Sequence, residues 1–155
     1  SYTEDYENSS VTLNVLENFY IRKEYDGKPN ETEFISYIDG KKNKIDWWFK
    51  QEIGQEYFAI KYFNTADQKF ALFYPDWILR LKDNKVGIFD TKGGRTLNTE
   101  GRAIGLAKKI KELGKNYIGG IVKFSNGIFY YCNSINYDDQ VETNNKWVPM
   151  NELFR

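Results

Sequence analysis

Residues Phe73–Gly94 read FYPDWILRLKDNKVGIFDTKGG, and the fold turns on how this stretch is read. Two extended apolar runs, Phe73–Leu81 and Lys85–Phe89, flank a polar turn at Lys82-Asp83-Asn84. Alternating and continuous apolar runs broken by such a turn predict paired strands. Each run carries a carboxylate where a strand normally carries none: Asp76 after Pro75 in the first, Asp90 at the close of the second. Strand side chains alternate faces, so Val86, Ile88, Asp90 and Lys92 are expected on one face. If the runs pair as a hairpin, Asp76 comes close to Asp90. Two carboxylates that approach each other repel, and a hard divalent cation relieves the repulsion. A lysine beside them can hold an attacking water or a developing phosphate charge. The same residues also fit a plain hairpin, with Asp76 capping a bulge and Asp90 paired with Lys92 at a solvated strand end.

The set Pro75-Asp76, then Asp90-Thr91-Lys92 followed by Gly93-Gly94, resembles the PD-(D/E)xK nuclease superfamily. The resemblance spans roughly residues 30–124. It implies that Asp76 and Asp90 bind Mg²⁺, with Mn²⁺ as a substitute, together with the backbone carbonyl of Thr91. It implies that Lys92 assists the nucleophilic water. Many members carry a further acid on a first helix, and Glu31-Thr32-Glu33-Phe34 matches the Glu-x-x-Phe pattern of the nuclease domains that follow a helicase motor in type III-like restriction enzymes. On that reading Glu31 supports the site. Without it, Glu31 is a first-turn acid favoured by the helix dipole.

Around this centre the chain reads in order as follows. Ser1–Ser10 is acidic, polar and expected to fray. Val11–Tyr25 suggests one or two strands, and Asp26–Pro29 a turn. Asn30 offers an N-cap, with Glu33 three residues on as in a capping box. The helix that follows places Phe34, Tyr37 and Ile38 on one stripe, with Glu31 in line, and stops at Gly40. Ile45–Gln51 and Glu56–Phe63 read as strands. Of Trp47 and Trp48, on opposite faces, one is core. After the opening stretch, Thr99–Leu113 is a helix stopped at Gly114, with Ala103, Leu106, Ala107, Ile110 and Leu113 buried. Gly101 and Gly105 thin it for close packing. Arg102 and Lys108 on its basic surface, with Arg95 in the preceding loop, are the expected phosphate contacts; a solvated basic face explains the later lysines equally well. Tyr117–Phe124 and Ile128–Asn133 are strands joined by an Asn-Gly hairpin turn. Trp147–Phe154 is a short terminal element that docks back.

The 155 residues suffice for one domain with a core, and the series predicts an α/β fold: a mixed central sheet flanked by helices, an αβββαβ core like that of restriction endonucleases, with extra strands. Aromatic residues make up 17% of the chain, which favours strands and large buried surfaces. The absence of histidine removes serine-triad chemistry and His-ligated zinc. A single cysteine, Cys132, excludes an internal disulfide and fits a reducing cytoplasm. No apolar run is long enough to span a bilayer, so no membrane partner is expected. The chain begins with serine, which suggests a piece of a longer polypeptide. Net charge is zero, but residues 1–39 carry a balance of −6 and residues 40–155 one of +6. Weak local contact with DNA, delivered by the remainder of a helicase and restriction polypeptide, fits that distribution. The resemblance implies a Mg²⁺-dependent DNA endonuclease. A non-cleaving DNA- or protein-binding module, or a repair or junction nuclease on the same fold, would share these features.

Overall fold

A computed structural model of the chain describes residues 6–8, 20–22, 31–51, 58–91, 99–141 and 145–155, the first two segments and residues 31–32 by backbone alone. The elements are β1 (Tyr6–Asn8), β2 (Tyr20–Arg22), α1 (Glu31–Asp39), β3 (Ile45–Lys50), β4 (Ile60–Asn64), β5 (Lys69–Phe73), β6 (Trp77–Leu81), β7 (Val86–Thr91), α2 (Thr99–Leu113), β8 (Tyr117–Ser125), β9 (Ile128–Cys132), β10 (Trp147–Pro149) and a closing 3₁₀ turn, Met150–Phe154. The fold is α/β. Its six-stranded sheet has the order β10-β9-β8-β7-β6-β3, while β4-β5 and β1-β2 are separate two-stranded sheets. Because β1 pairs with β2, part of the expected N-terminal fray is strand.

The sheet is mixed. Strands β3, β6 and β7 form an antiparallel meander, and β7 pairs parallel with β8 after the crossover through α2. The turn between β6 and β7 falls at Lys82–Asn84 as the sequence predicts. Asn84 adopts φ 69°, a left-handed conformation that asparagine tolerates, and the Asp83 carboxylate accepts the Lys85 N–H at 3.1 Å. The Asn126-Gly127 turn between β8 and β9 has φ of 48° and 78°, both positive as a type I′ hairpin requires.

Side-chain alternation divides the core in two. Phe34, Ile35 and Ile38 of α1 pack with Trp77, Leu79, Leu81, Phe89, Val122 and Tyr131 on one face of the sheet. Ala103 and Leu106 of α2 pack with Ile88, Ile121 and Cys132 on the other, where Ile60, Tyr62 and Phe73 of the β4–β5 hairpin join them. Trp48 is the core member of the tandem tryptophans, fully buried against Trp77 with ring centroids 5.9 Å apart. Among the described residues no helix is long and apolar enough to cross a membrane.

The run Phe73–Leu81 is not one strand. Phe73 ends β5 and pairs with Ile60 in the detached hairpin, whereas Trp77 starts β6 in the main sheet. The break falls at Tyr74-Pro75-Asp76. Proline has no N–H for a ladder and pushes the preceding residue into extended conformations, so the chain leaves one sheet and enters another there. The second predicted strand, Glu56–Phe63, is confined among the described residues to Ile60–Asn64. Gly101 and Gly105 do permit close packing, but against the hairpin: an added Cβ would lie 2.5 Å from the Phe63 carbonyl oxygen at Gly101 and 2.8 Å from that of Lys61 at Gly105. The Asn30 cap lies outside the described residues.

Candidate functional site

The two acids meet at one end of the meander. Trp77 lies opposite Phe89 in the β6–β7 ladder, and one further step along that register sets Asp76 opposite Asp90. The Asp76 backbone N–H donates to Asp90 Oδ1 at 3.0 Å. Asp90 is only 1% exposed, in register with Ile121 of β8. A carboxylate buried so deeply is costly unless its environment supplies hydrogen bonds or charge, and the neighbouring main chain supplies one such bond.

Thr91 points to the opposite face by strand alternation, and there it joins the site. The Trp77 indole N–H donates to Thr91 Oγ1 at 3.0 Å, and the Thr91 hydroxyl donates to Asp76 Oδ2 at 3.2 Å. This relay fixes the Asp76 carboxylate to a fully buried indole. The Trp77 ring is in turn packed by Phe34 of α1, with centroids 5.1 Å apart. Such aromatic pairs contribute about 0.5–1.5 kcal/mol beyond their area burial, so α1 helps to hold the residue that orients Asp76.

Two residues of the site carry no sequence signal. Gln51 is 5% exposed and grips the segment that carries Asp76. Its backbone N–H donates to the Asp76 carbonyl at 2.8 Å, and its side-chain amide donates to the Pro75 carbonyl at 2.6 Å. The same amide donates to the Phe58 carbonyl at 3.0 Å, and its oxygen accepts the Phe58 N–H at 2.7 Å. Lys50, opposite Trp77 in the β3–β6 ladder, is also buried, with its ammonium 6.0 Å from the Trp77 ring centroid. Both residues close a strand whose composition announces only burial.

The structure therefore brings Asp76, Asp90 and Thr91 together. Lys92 and Arg95 lie outside the described residues, as does the side chain of Glu31. The Glu31 backbone forms the first turn of α1, one turn before Phe34. Glu33 is exposed. Arg102 does not stand free at a strand end. Its guanidinium carbon lies 5.5 Å from the ring centroids of both Tyr62 and Phe73, and its Nε is buried without a hydrogen-bond partner among the described residues. Lys108 is exposed, further along α2.

The oxygens near this strand end are hard: the Asp90 carboxylate, which takes the Asp76 N–H, the Asp76 carboxylate, which turns to the Thr91 hydroxyl, and the Thr91 carbonyl that the resemblance adds. Among the described residues no group of three or more His, Cys, Asp or Glu side chains is placed to hold a metal ion. Magnesium uses one or two carboxylates and completes its shell with water and phosphate oxygens, so this donor set fits it. No family model matches the chain, and no curated protein or solved structure shows significant similarity to it.

Proposed function

We propose that the chain is a Mg²⁺-dependent DNA endonuclease domain of the PD-(D/E)xK kind, working within a restriction polypeptide that also carries a helicase motor. The observation that carries this reading is the contact between Asp76 and Asp90, with the Asp76 main chain bound to the Asp90 carboxylate at the end of two adjacent strands. The element series supports it as well: α1, the meander β3-β6-β7, the crossover α2, then β8 parallel to β7 is the αβββαβ order that the resemblance implies.

In this reading Asp76, Asp90 and the Thr91 carbonyl hold Mg²⁺. When bound, the ion supplies a water of lowered pKa and a positive charge for the scissile phosphate. Thr91 and Trp77 fix the Asp76 carboxylate from one side. Gln51 fixes its main chain from another. As the resemblance implies, Lys92 would hold the attacking water and Glu31 would support the site. Arg95 and Lys108 would meet the DNA backbone, whereas Arg102 is held over the Tyr62 and Phe73 rings. Such a domain works in the cytoplasm, where its single thiol stays reduced.

The test is cleavage of supercoiled plasmid with Mg²⁺, Mn²⁺, Ca²⁺ or chelator. Cleavage is expected with Mg²⁺ and Mn²⁺ and not with chelator. Ca²⁺ should bind with little turnover, because its looser coordination positions water poorly. Steady cleavage in excess chelator would overturn the reading. Mn²⁺ binding without cleavage of any DNA would mark a non-cleaving module.

A further inference from the structure

The large apolar side chains exposed among the described residues are not scattered. Phe63, Phe70, Leu72 and Tyr74 are 39%, 61%, 61% and 42% exposed and all belong to the β4–β5 hairpin or its exit; only Phe124 and Ile135 lie elsewhere. Phe63 is paired with Phe70 across the ladder, and Lys61 with Leu72. Strand alternation puts Lys61, Phe63, Phe70 and Leu72 on the outward face, while Ile60, Tyr62, Ala71 and Phe73 turn inward. A contiguous exposed patch of this kind marks a contact surface.

The chemistry of the face selects its occupant. The Phe63 and Phe70 rings meet edge to face at 5.4 Å, and the Lys61 ammonium lies 4.4 Å from the Phe70 ring centroid. Protein interfaces are depleted in lysine, whereas strands of nucleic acid are held by rings that stack on bases and by cations that meet phosphates. Lys69 and Asp67 both stand exposed at the tip of the hairpin, and none of Lys61, Phe63, Phe70 and Leu72 on the outward face is acidic. The platform is backed by packing on its inner side. Gly101 and Gly105 let α2 lie directly on the β4 backbone, and Arg102 fills the space over the inward Tyr62 and Phe73 rings.

The face also leads to the carboxylates. Phe73 is the last residue of β5, and Asp76 follows after Tyr74 and Pro75. Three extended residues span about 10 Å. We propose that the outward face of β4–β5, formed by Lys61, Phe63, Phe70 and Leu72 with Tyr74 at its edge, binds an unpaired DNA strand by base stacking and guides it to Asp76 and Asp90. Bases offer their faces to rings only when unstacked, so the substrate class is single-stranded or locally opened DNA. This inference rests on the nuclease reading and names its substrate.

The experiment measures fluorescence anisotropy of a labelled oligo-dT strand and of a labelled blunt duplex, in chelator to prevent cleavage. Phe70→Ala and Leu72→Ala are exposed changes expected to leave folding intact, which circular dichroism checks. Wild type should bind the single strand better than the duplex. Phe70→Ala should weaken the single strand about tenfold, within the range of one lost stacking contact, and change the duplex less than twofold. Equal losses on both DNAs, no loss on either, or no binding of oligo-dT by wild type would each overturn the proposal. So would sedimentation showing a dimer that Phe70→Ala dissolves, since the face would then be a contact between copies. Plasmid cleavage by wild type with Mg²⁺, run in parallel, reports separately on the nuclease reading: cleavage without single-strand binding removes this inference and leaves that one standing.

Discussion

Asp76 gives its main-chain N–H to the carboxylate of Asp90 at 3.0 Å, so one acid of the pair is held by the backbone of the other. The contact separates two substitutions that would otherwise look alike. Asn at position 90 keeps an oxygen acceptor for that N–H, whereas Ala removes it and leaves a donor without its bond. Such a loss costs about 1–3 kcal/mol. Asp90→Asn should stay folded, with apo stability within about 1–2 kcal/mol of wild type, the range typical of substitutions that trade site function against stability. Asp90→Ala should be clearly less stable, and both should lose Mn²⁺ binding. Urea unfolding and Mn²⁺ titration check the order; equal stability of the two variants would show that the contact contributes nothing.

Gln51 acts through Asp76, and its substitution should show it. Leu at 51 keeps the shape but gives up the side-chain bonds to Pro75 and Phe58. Leaving buried carbonyls without donors should cost about 2 kcal/mol or more. At a temperature where the variant is fully folded, Mn²⁺ affinity and kcat should fall while KM changes little. Unaltered Mn²⁺ affinity in folded Gln51→Leu would reduce the residue to scaffold.

Glu31 and Glu33 share a helical turn and differ in setting. Glu33 is exposed, so Glu33→Gln should change neither stability nor cleavage appreciably. Glu31 lies one turn before Phe34, which packs on Trp77. Glu31→Gln should leave the fold intact and lower cleavage about tenfold, which is about 1.4 kcal/mol of transition-state stabilisation. Loss of activity in the Glu33 variant alone would shift the helix phase.

The domain should also lose stability in alkali through phenols that folding shields: buried Tyr131, half-buried Tyr37 and, raised furthest by burial and the Asp139 carboxylate, Tyr137. Burial, with a smaller contribution from Glu152, pushes Tyr131 from the usual 10 up to about 12, and burial does the same to Tyr37. The folded state favours the neutral phenol, so this stability is complete below pH 10 and is lost as pH rises towards 12. Tyr131→Phe should flatten the decline without abolishing it, because Tyr37 and Tyr137 remain. Urea midpoints taken between pH 9 and 12 would show this; an unchanged slope in Tyr131→Phe would assign the decline to other groups.

Parts of this arrangement were legible in the sequence for local reasons. Thr99–Leu113 is stopped by Gly114, at φ 102°, and the turns at Lys82–Asn84 and Asn126-Gly127 rest on residues that tolerate positive φ. The meeting of Asp76 and Asp90 followed from the register of one short hairpin. What stayed hidden depends on partners distant in the chain. Phe73 and Trp77 look like members of one strand because both are apolar and extended, yet they pair in different sheets. Nothing in a glutamine reveals that it will clamp a proline carbonyl 24 residues away. Arg102 read as a solvent-facing cation, but its place over Tyr62 and Phe73 depends on where the hairpin docks.

The parallel pairing of β7 with β8 bears on the order in which the chain acquires its shape. The β6–β7 hairpin closes through a turn of a few residues, whereas β8 must wait for the whole of α2 to cross over. Local closure is faster than distant closure because less chain entropy is surrendered. The two acids thus come together while both are still hydrated, and the docking of β8 later seals Asp90 from water. Pulse-labelled hydrogen exchange would find the β6 and β7 amides protected first; simultaneous protection of β8 would contradict this order. The expense of enclosing a charged group then falls on a late, non-local step of folding, and substitutions at Asp90 should change the rate of that step more than the rate of the first collapse.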